Sequence, residues 1–348
     1  MFALRLLAAL WVADALHLGG PKLLPIDGTW MPLSQLFLAG PENCEAKVST
    51  ALHHLESTLS YEHRFRVQEA FEDANATTML IVGTRHTTCM TDNFLVHADS
   101  LTTPSPIVHV ALDSLAHRSC TEHFQPRSRS LACVDLSSWL PIDVSSYGPT
   151  TSLSDNVGFG TCAYRLIAWT KPLLLKVALS ATPQRIFLID TDVILYADLA
   201  GWIERNARED SLLVAGDEYM RRLPNTGTLV TDAASRPLLD LWLARAGDPD
   251  DHMPATGARF ADQGGLVRLL RTRQDFNHTV QLVPRAVLGL CGGKGRYASH
   301  YTCVDKIAAM QARGEWTPWL DRCRDGFVAD TQLYTSIDFV VQSLLLST

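Results

Sequence analysis

The 348-residue chain has no Cys-x-x-Cys pair, no dense lysine or arginine block, no internal repeat and no low-complexity tract. Each absence removes a class of protein. Without Cys-x-x-Cys spacings, zinc-ribbon and thioredoxin-type chemistry lose their usual carriers. A formal net charge of -7 with scattered basic residues offers no footprint for a phosphate backbone, so nucleic acid is not expected as a main partner. Charged residues make up 19% of the chain against 47% hydrophobic, a balance that excludes a disordered chain. The apolar stretch from Leu6 to Leu18 is interrupted by Asp14 and ended by Gly19-Gly20-Pro21, well short of the roughly 20 residues a membrane span needs.

What is present at the N-terminus is a short basic start, an apolar stretch and small residues at Ala13-Asp14-Ala15, the layout of a secretory signal. Residues 1–20 are therefore expected to be a signal peptide or short signal anchor, the latter giving membrane association. Residues 21–76 read as a linker or stem with an N-terminal helix, and 77–348 as the main domain. A buried N-terminal helix is the plainer alternative for the first segment. The eight cysteines form an even set, which in a secreted chain implies disulfides. Cys120 with Cys133, and Cys291 with Cys303 or Cys323, are the pairings considered. The sequons at Asn75 and Asn277 agree with exposure in the secretory pathway, most simply the Golgi lumen, with secretion as the alternative.

Hydrophobic periodicity then organises the chain. Val48, Leu52, Leu55 and Leu59 recur at helical spacing. Thr78 to Val82 reads as a strand, the residues from Asn93 to Leu101 as a helix, and Pro106 to Leu112 as a second strand, the opening of a parallel sheet. The stretch from Cys120 to Gly160 yields only one or two short strands. Because proline sits best in a first helical turn, a helix is expected to start near Pro172. Strands follow at Arg185–Ile189, Leu212–Gly216 and Thr228–Val230, a helix at Ala233–Ala246, a helix opened by Asp262-Gln263-Gly264-Gly265, and a last core strand at Val280–Pro284. The fold class is α/β, a Rossmann-like, mostly parallel central sheet flanked by helices.

The most informative feature is the apolar strand Arg185-Ile186-Phe187-Leu188-Ile189 ending in Asp190-Thr191-Asp192. Open α/β sheets bind ligands beyond the C-terminal ends of their strands. Alternation along a strand points residues i and i+2 the same way, so Asp190 and Asp192 can converge on a hard cation whose open positions suit a diphosphate. Two rivals stand beside this reading. A haloacid-dehalogenase-like phosphatase or phosphomutase would use Asp190 as nucleophile, although Gly247-Asp248-Pro249-Asp250-Asp251 has the wrong spacing for its second acidic cluster. A non-catalytic secreted binding protein would keep the same strand without turnover.

The order of motifs resembles the nucleotide-diphospho-sugar transferases of the GT-A fold over roughly residues 77–306, nearest the branch that includes plant rhamnogalacturonan xylosyltransferases and extensin arabinosyltransferases. The residues that carry it are Asp92-Asn93-Phe94-Leu95, the strand end Leu112-Asp113, Lys171, Asp190-Thr191-Asp192, Asn225-Thr226-Gly227, Leu241-Trp242, Asp262-Gln263, His300 and Lys306. The resemblance implies a glycosyltransferase that moves a hexosyl or pentosyl unit from a nucleotide-diphospho-sugar donor to a hydroxyl of a glycan or glycoprotein acceptor, with retention of anomeric configuration. It further implies Mn2+ or Mg2+ held by Asp190, Asp192 and His300, and donor contacts from Thr84, Arg85, Lys171, Thr191 and Lys306. Asn225, Thr226 and Gly227 are implied at the sugar, and Asp262 and Gln263 at the reacting centre. Each also has a plain alternative: a solvated lysine, a tight turn, a helix cap, a hydrogen-bonded histidine.

Overall fold

A computed structural model describes residues 23–26, 29–32, 49, 52–53, 55–56, 61–72, 76–128, 130–137, 162–217, 223–247, 261–291, 293–302 and 304–324. The expected signal segment, Asn75, Cys303 and the side chain of Asn277 lie outside them. Strands β1 (Leu23–Ile26) and β2 (Thr29–Pro32) form an antiparallel hairpin inside the stretch expected to be a linker. Helix α1 (Tyr61–Glu72) leads to β3 (Thr78–Gly83), α2 (Thr88–Asp99), β4 (Ile107–Ala111), α3 (Ser114–Ser119) and β5 (Leu131–Asp135). Next come α4 (Cys162–Ala178), β6 (Ile186–Ile189), β7 (Val193–Leu195), α5 (Leu199–Asn206), β8 (Leu213–Asp217) and β9 (Pro224–Thr231). The described chain closes with α6 (Arg236–Leu243), α7 (Ala261–Thr272), α8 (Gln274–Asn277), β10 (Val280–Val283), β11 (Leu288–Leu290), β12 (Ala298–His300), α9 (Lys306–Ala312) and α10 (Asp321–Arg324). Among the described residues no helix is long and apolar enough to cross a membrane.

Seven strands form one sheet in the order β10-β8-β9-β6-β3-β4-β5. All neighbours run parallel except β9, which is antiparallel to both β6 and β8. The expected α/β architecture with a mostly parallel central sheet is the one the chain adopts. From β3 the chain steps outward to β4 and β5, then α4 carries it back to β6 on the other side of β3. That reversal makes a topological switch point beyond the C-terminal ends of β3 and β6, the place where doubly wound sheets bind ligands.

Strand alternation builds the two cores. Ile186 and Leu188 face one helical layer with Leu166, Leu174 and Trp242, whereas Phe187 and Ile189 face the other with Phe94, Ile194 and Leu199. Each such side chain contributes about 1.5–3 kcal/mol on burial. A strand covered on both faces cannot continue into charge, so the first carboxylate marks where β6 leaves the sheet.

Three expectations change. Helix α4 runs unbroken through Pro172, which stands ten residues inside it rather than in its first turn. An interior proline costs about 3 kcal/mol. Here Leu166, Trp169, Leu173, Leu174 and Leu175 are all buried, and that packing outweighs the local penalty. Asn225-Thr226-Gly227 is not a turn but lies within β9. β5 is a short strand of the kind expected between Cys120 and Gly160, and it pairs with β4 across its whole length. Finally, Cys323 pairs with Cys89, not Cys291. Cys120–Cys133 forms as considered, Cys291 is itself disulfide-bonded, and among the described residues no cysteine is free.

Candidate metal centre

Asp190-Thr191-Asp192 is not part of a strand. The three residues form the tight connection between β6 and β7, closed by Val193 N donating to the Asp190 carbonyl at 3.3 Å. Asp190 N donates to the Gly227 carbonyl at 2.7 Å, so β9 fixes the start of the turn. The two carboxylates therefore converge through a turn rather than through strand alternation.

The third donor arrives from a separate sheet. β12 pairs antiparallel with β7, with His300 opposite Val193, and Tyr301 N donates to the Asp192 carbonyl at 3.0 Å. This brings His300 Nε2 to 3.1 Å from Asp192 Oδ1. One ligand atom each from Asp190, Asp192 and His300 lies within 4.8 Å of the others. His300 is 1% exposed and its Nδ1 is buried without a hydrogen-bond partner.

The donors fit a divalent cation on three observations. Two carboxylate oxygens with one imidazole nitrogen suit a borderline-hard ion such as Mn2+. A Cβ added at Gly227 would come within 2.5 Å of His300 Cε1 and 2.6 Å of Asp190 Oδ2, so glycine keeps the cradle between those side chains open. Carboxylates also outnumber ammonium groups. Asp190, Asp192 and Asp262 face Lys171 and Lys306, leaving an excess of negative charge for a cation.

Lys171 Nζ is 3.2 Å from Asp190 Oδ1 and 3.4 Å from Asp262 Oδ2, the second at ion-pair distance but off hydrogen-bond geometry. Lys306 Nζ is 2.7 Å from Asp192 Oδ2. It opens α9, whose cap Asp305 accepts from Ala308 N at 3.3 Å and sets where the helix begins. Burial works to raise the Asp192 carboxyl. The Lys306 ammonium and His300 beside it outweigh burial and hold that carboxyl well below the usual carboxylate range. Lys306 is its counterpart: burial works to lower the amine, and the charge of Asp192 more than offsets it.

Asp262 and Gln263 lie in the first turn of α7, where the helix end is partly positive. Gln263 Oε1 lies 3.3 Å from Asn225 Nδ2 and 3.4 Å from Thr226 N, while Asn225 Oδ1 accepts from Gly227 N at 2.9 Å. The expected sugar-side residues are thus tied to one another across β9 and α7. Thr84 and Arg85 stand at the C-terminal end of β3, fixed to their own turn and to Asp113, whose Oδ2 accepts from Arg85 N at 2.6 Å.

The sequence marks Leu241-Trp242 only as part of the resembled motif order, with no role for the indole. Its Nε1 donates to the Asp262 carbonyl at 2.7 Å and anchors the start of α7. A tryptophan on an otherwise aliphatic face is the available signal, since a buried indole needs an acceptor. Asp113 ends the second strand of the sequence reading and belongs to the resemblance, whereas Glu315 has no distinguishing sequence context.

No protein-family model and no curated protein sequence matches the chain. Solved structures similar to it include the galactosyltransferase LgtC in complex with donor and acceptor sugar analogs, at 12% identity over 72% of this chain and 99% of that one, TM-score 0.48. Mouse xyloside xylosyltransferase 1 in its apo form gives 9% over 66% and 98%, TM-score 0.46. The glycosyltransferase GlyE of Streptococcus pneumoniae TIGR4 gives 10% over 76% of this chain and 64% of that one, TM-score 0.45. Likenesses this distant assign neither fold nor activity by themselves, so the weight rests on the sheet order and the geometry of the site.

Proposed function

We propose that the protein is a metal-dependent glycosyltransferase of the GT-A type, taking a nucleotide-diphospho-sugar donor and a hydroxyl acceptor on a glycan or glycoprotein. The observation that carries this reading is the gathering of Asp190, Asp192 and His300 within 4.8 Å at the switch point of the central sheet. Asp190, Asp192 and His300 would hold the ion, Mn2+ or Mg2+, which when bound supplies Lewis-acid neutralisation of a leaving diphosphate. The two lysines add cationic charge on either side of the acidic pair, positioned to meet phosphate oxygens once a donor displaces their present carboxylate partners. Gln263 and Asn225, buried against one another where α7 meets β9, carry amides suited to sugar hydroxyls. Asp262, anchored through its carbonyl, keeps a carboxylate beside the same lysine, Lys171, that meets Asp190.

Retention of configuration is carried forward from the resembled branch, and NMR of the product anomer decides it. A lumenal location in the secretory pathway draws support from the Cys89–Cys323 and Cys120–Cys133 bridges, which persist in oxidising compartments. Protease protection of the protein in intact microsomes checks it.

The test of function is nucleotide release from a panel of UDP- and GDP-sugars with and without EDTA. Turnover restored by Mn2+ and lost in Asp192→Asn supports the reading. Metal-independent turnover, full activity in Asp192→Asn, or a phosphoryl adduct trapped on Asp190 overturns it.

A further inference from the structure

We infer that the C-terminal segment 313–324 is a positioning strap for His300, and that Glu315 is the residue through which it acts. The inference rests on the metal-site reading above.

The strap is held on one side by α2. Glu315's carbonyl lies 3.1 Å from Asn93 Nδ2 and 2.8 Å from His97 Nε2. Thr317 N donates to Asn93 Oδ1 at 2.7 Å, and Leu320 N donates to Asp92 Oδ2 at 2.7 Å. Asp92 and Asn93 are both almost wholly buried, so the strap's bonds to Asp92 Oδ2 and to the Asn93 amide offset part of the cost of burying them. The Cys89–Cys323 bridge joins the same two elements covalently. Trp316 Nε1 donates to the Cys323 carbonyl at 2.8 Å, closing the strap on itself.

On its other side the strap reaches the small sheet through one carboxylate. Glu315 Oε1 accepts from Tyr196 OH at 2.8 Å, and Oε2 accepts from Tyr301 OH. Tyr301 immediately follows His300, and Tyr196 immediately follows β7, whose first residue comes directly after Asp192. Ser299 Oγ, 2.9 Å from Tyr196 OH, donates to it, and Arg313 Nη1 donates to Tyr301 OH at 3.0 Å. A single side chain therefore clamps β7 to the residue that follows β12. In the antiparallel β7–β12 ladder Tyr301 stands at the end that carries Asp192 and His300, and Tyr196 stands at the opposite end. Nothing here touches a ligand atom directly. The strap sets where the backbone bearing the imidazole sits.

Outer partners of metal ligands typically change affinity by about 10–100-fold when removed. The full-length protein is titrated with Mn2+ alone, free ion being followed by electron paramagnetic resonance, well below the unfolding temperature. Glu315→Ala is expected to weaken Mn2+ binding about tenfold, with Glu315→Gln, which keeps one acceptor and gains a donor, recovering most of it. The double variant Cys89→Ser/Cys323→Ser tests the strap from its far end and is expected to weaken binding in the same direction. Lys176→Ala, which removes an ion pair with Glu56 and Asp240 far from β12, serves as the control for a merely less stable protein and is expected to leave affinity unchanged. Wild-type binding that Glu315→Ala matches within twofold overturns the strap while leaving the metal reading intact. An equal loss in Lys176→Ala also overturns it, and failure of the wild type to bind Mn2+ at all removes both.

Discussion

Replacing Gly227 by alanine is the sharpest single perturbation of this site, because it adds one methyl group where the structure has no room. The new Cβ would stand 2.5 Å from His300 Cε1, 2.6 Å from Asp190 Oδ2 and 3.0 Å from His300 Nε2. Restoring ordinary contact at about 3.4 Å requires retreats of roughly 0.9 and 0.8 Å by the two ligands. Neither can retreat cheaply. His300 is buried in the β7–β12 ladder, and Asp190 is bonded through its own N–H to the carbonyl of residue 227. Overpacking of this kind costs about 1–3 kcal/mol. Ligand distances tolerate only about 0.2 Å of error, so an ångström of spreading lowers Mn2+ affinity by about 10–100-fold. A misplacement of that size also lowers turnover by about 100-fold. Mn2+ titration and metal-dependent nucleotide release measure the two effects. Gly201→Ala is the control, since its Cβ would collide with the Asp198 cap of α5 and destabilise the fold without touching the ligands. If Gly227→Ala binds Mn2+ and turns over within twofold of the wild type, the reasoning about this cradle is wrong.

Lys171→Met leaves Asp190 and Asp262 without their shared ammonium, so turnover should fall by about 100-fold while Mn2+ affinity holds or tightens. Parallel kinetic and titration measurements decide, and weakened metal binding would contradict this charge assignment. Burial lowers the His109 imidazole from its ordinary 6.5 to about 4, with His117 adding to the effect. Below pH 6.5 the unfolded chain takes up a proton that the folded chain refuses, so this group's contribution to stability is complete above pH 6.5 and is lost as pH falls to about 4. At pH 4.5 the loss is about 2.5 kcal/mol. Urea midpoints of His109→Leu should therefore depend less on pH between 7.5 and 4.5 than those of the wild type, and an unchanged slope refutes the assignment.

Much of the architecture was legible because burial on both faces writes itself into sequence. The runs at Thr78–Val82, Ile107–Ala111 and Ile186–Ile189 have no solvent-facing alternation, and they became adjacent parallel strands. The identity of the acidic pair was legible for the same reason, since a carboxylate ends a strand that has no wet face. What misled were local rules set against tertiary packing. Pro172 and the residues Asn225 to Gly227 carry breaker and turn signals, yet both lie inside regular elements held by their surroundings.

The chain order alone settled that apolar strands, connecting helices and an Asp-x-Asp strand end would form a layered α/β domain, because periodicity and burial are encoded residue by residue. Only the tertiary structure decided that His300, named by the resemblance 108 positions after Asp192, stands within bonding reach of that carboxylate, that glycine keeps the cradle open, and that a strap bound to α2 reaches the residues following β7 and β12. Those are contacts between residues far apart in the chain. Their geometry depends on how separate elements pack, which spacing along one strand or helix does not contain.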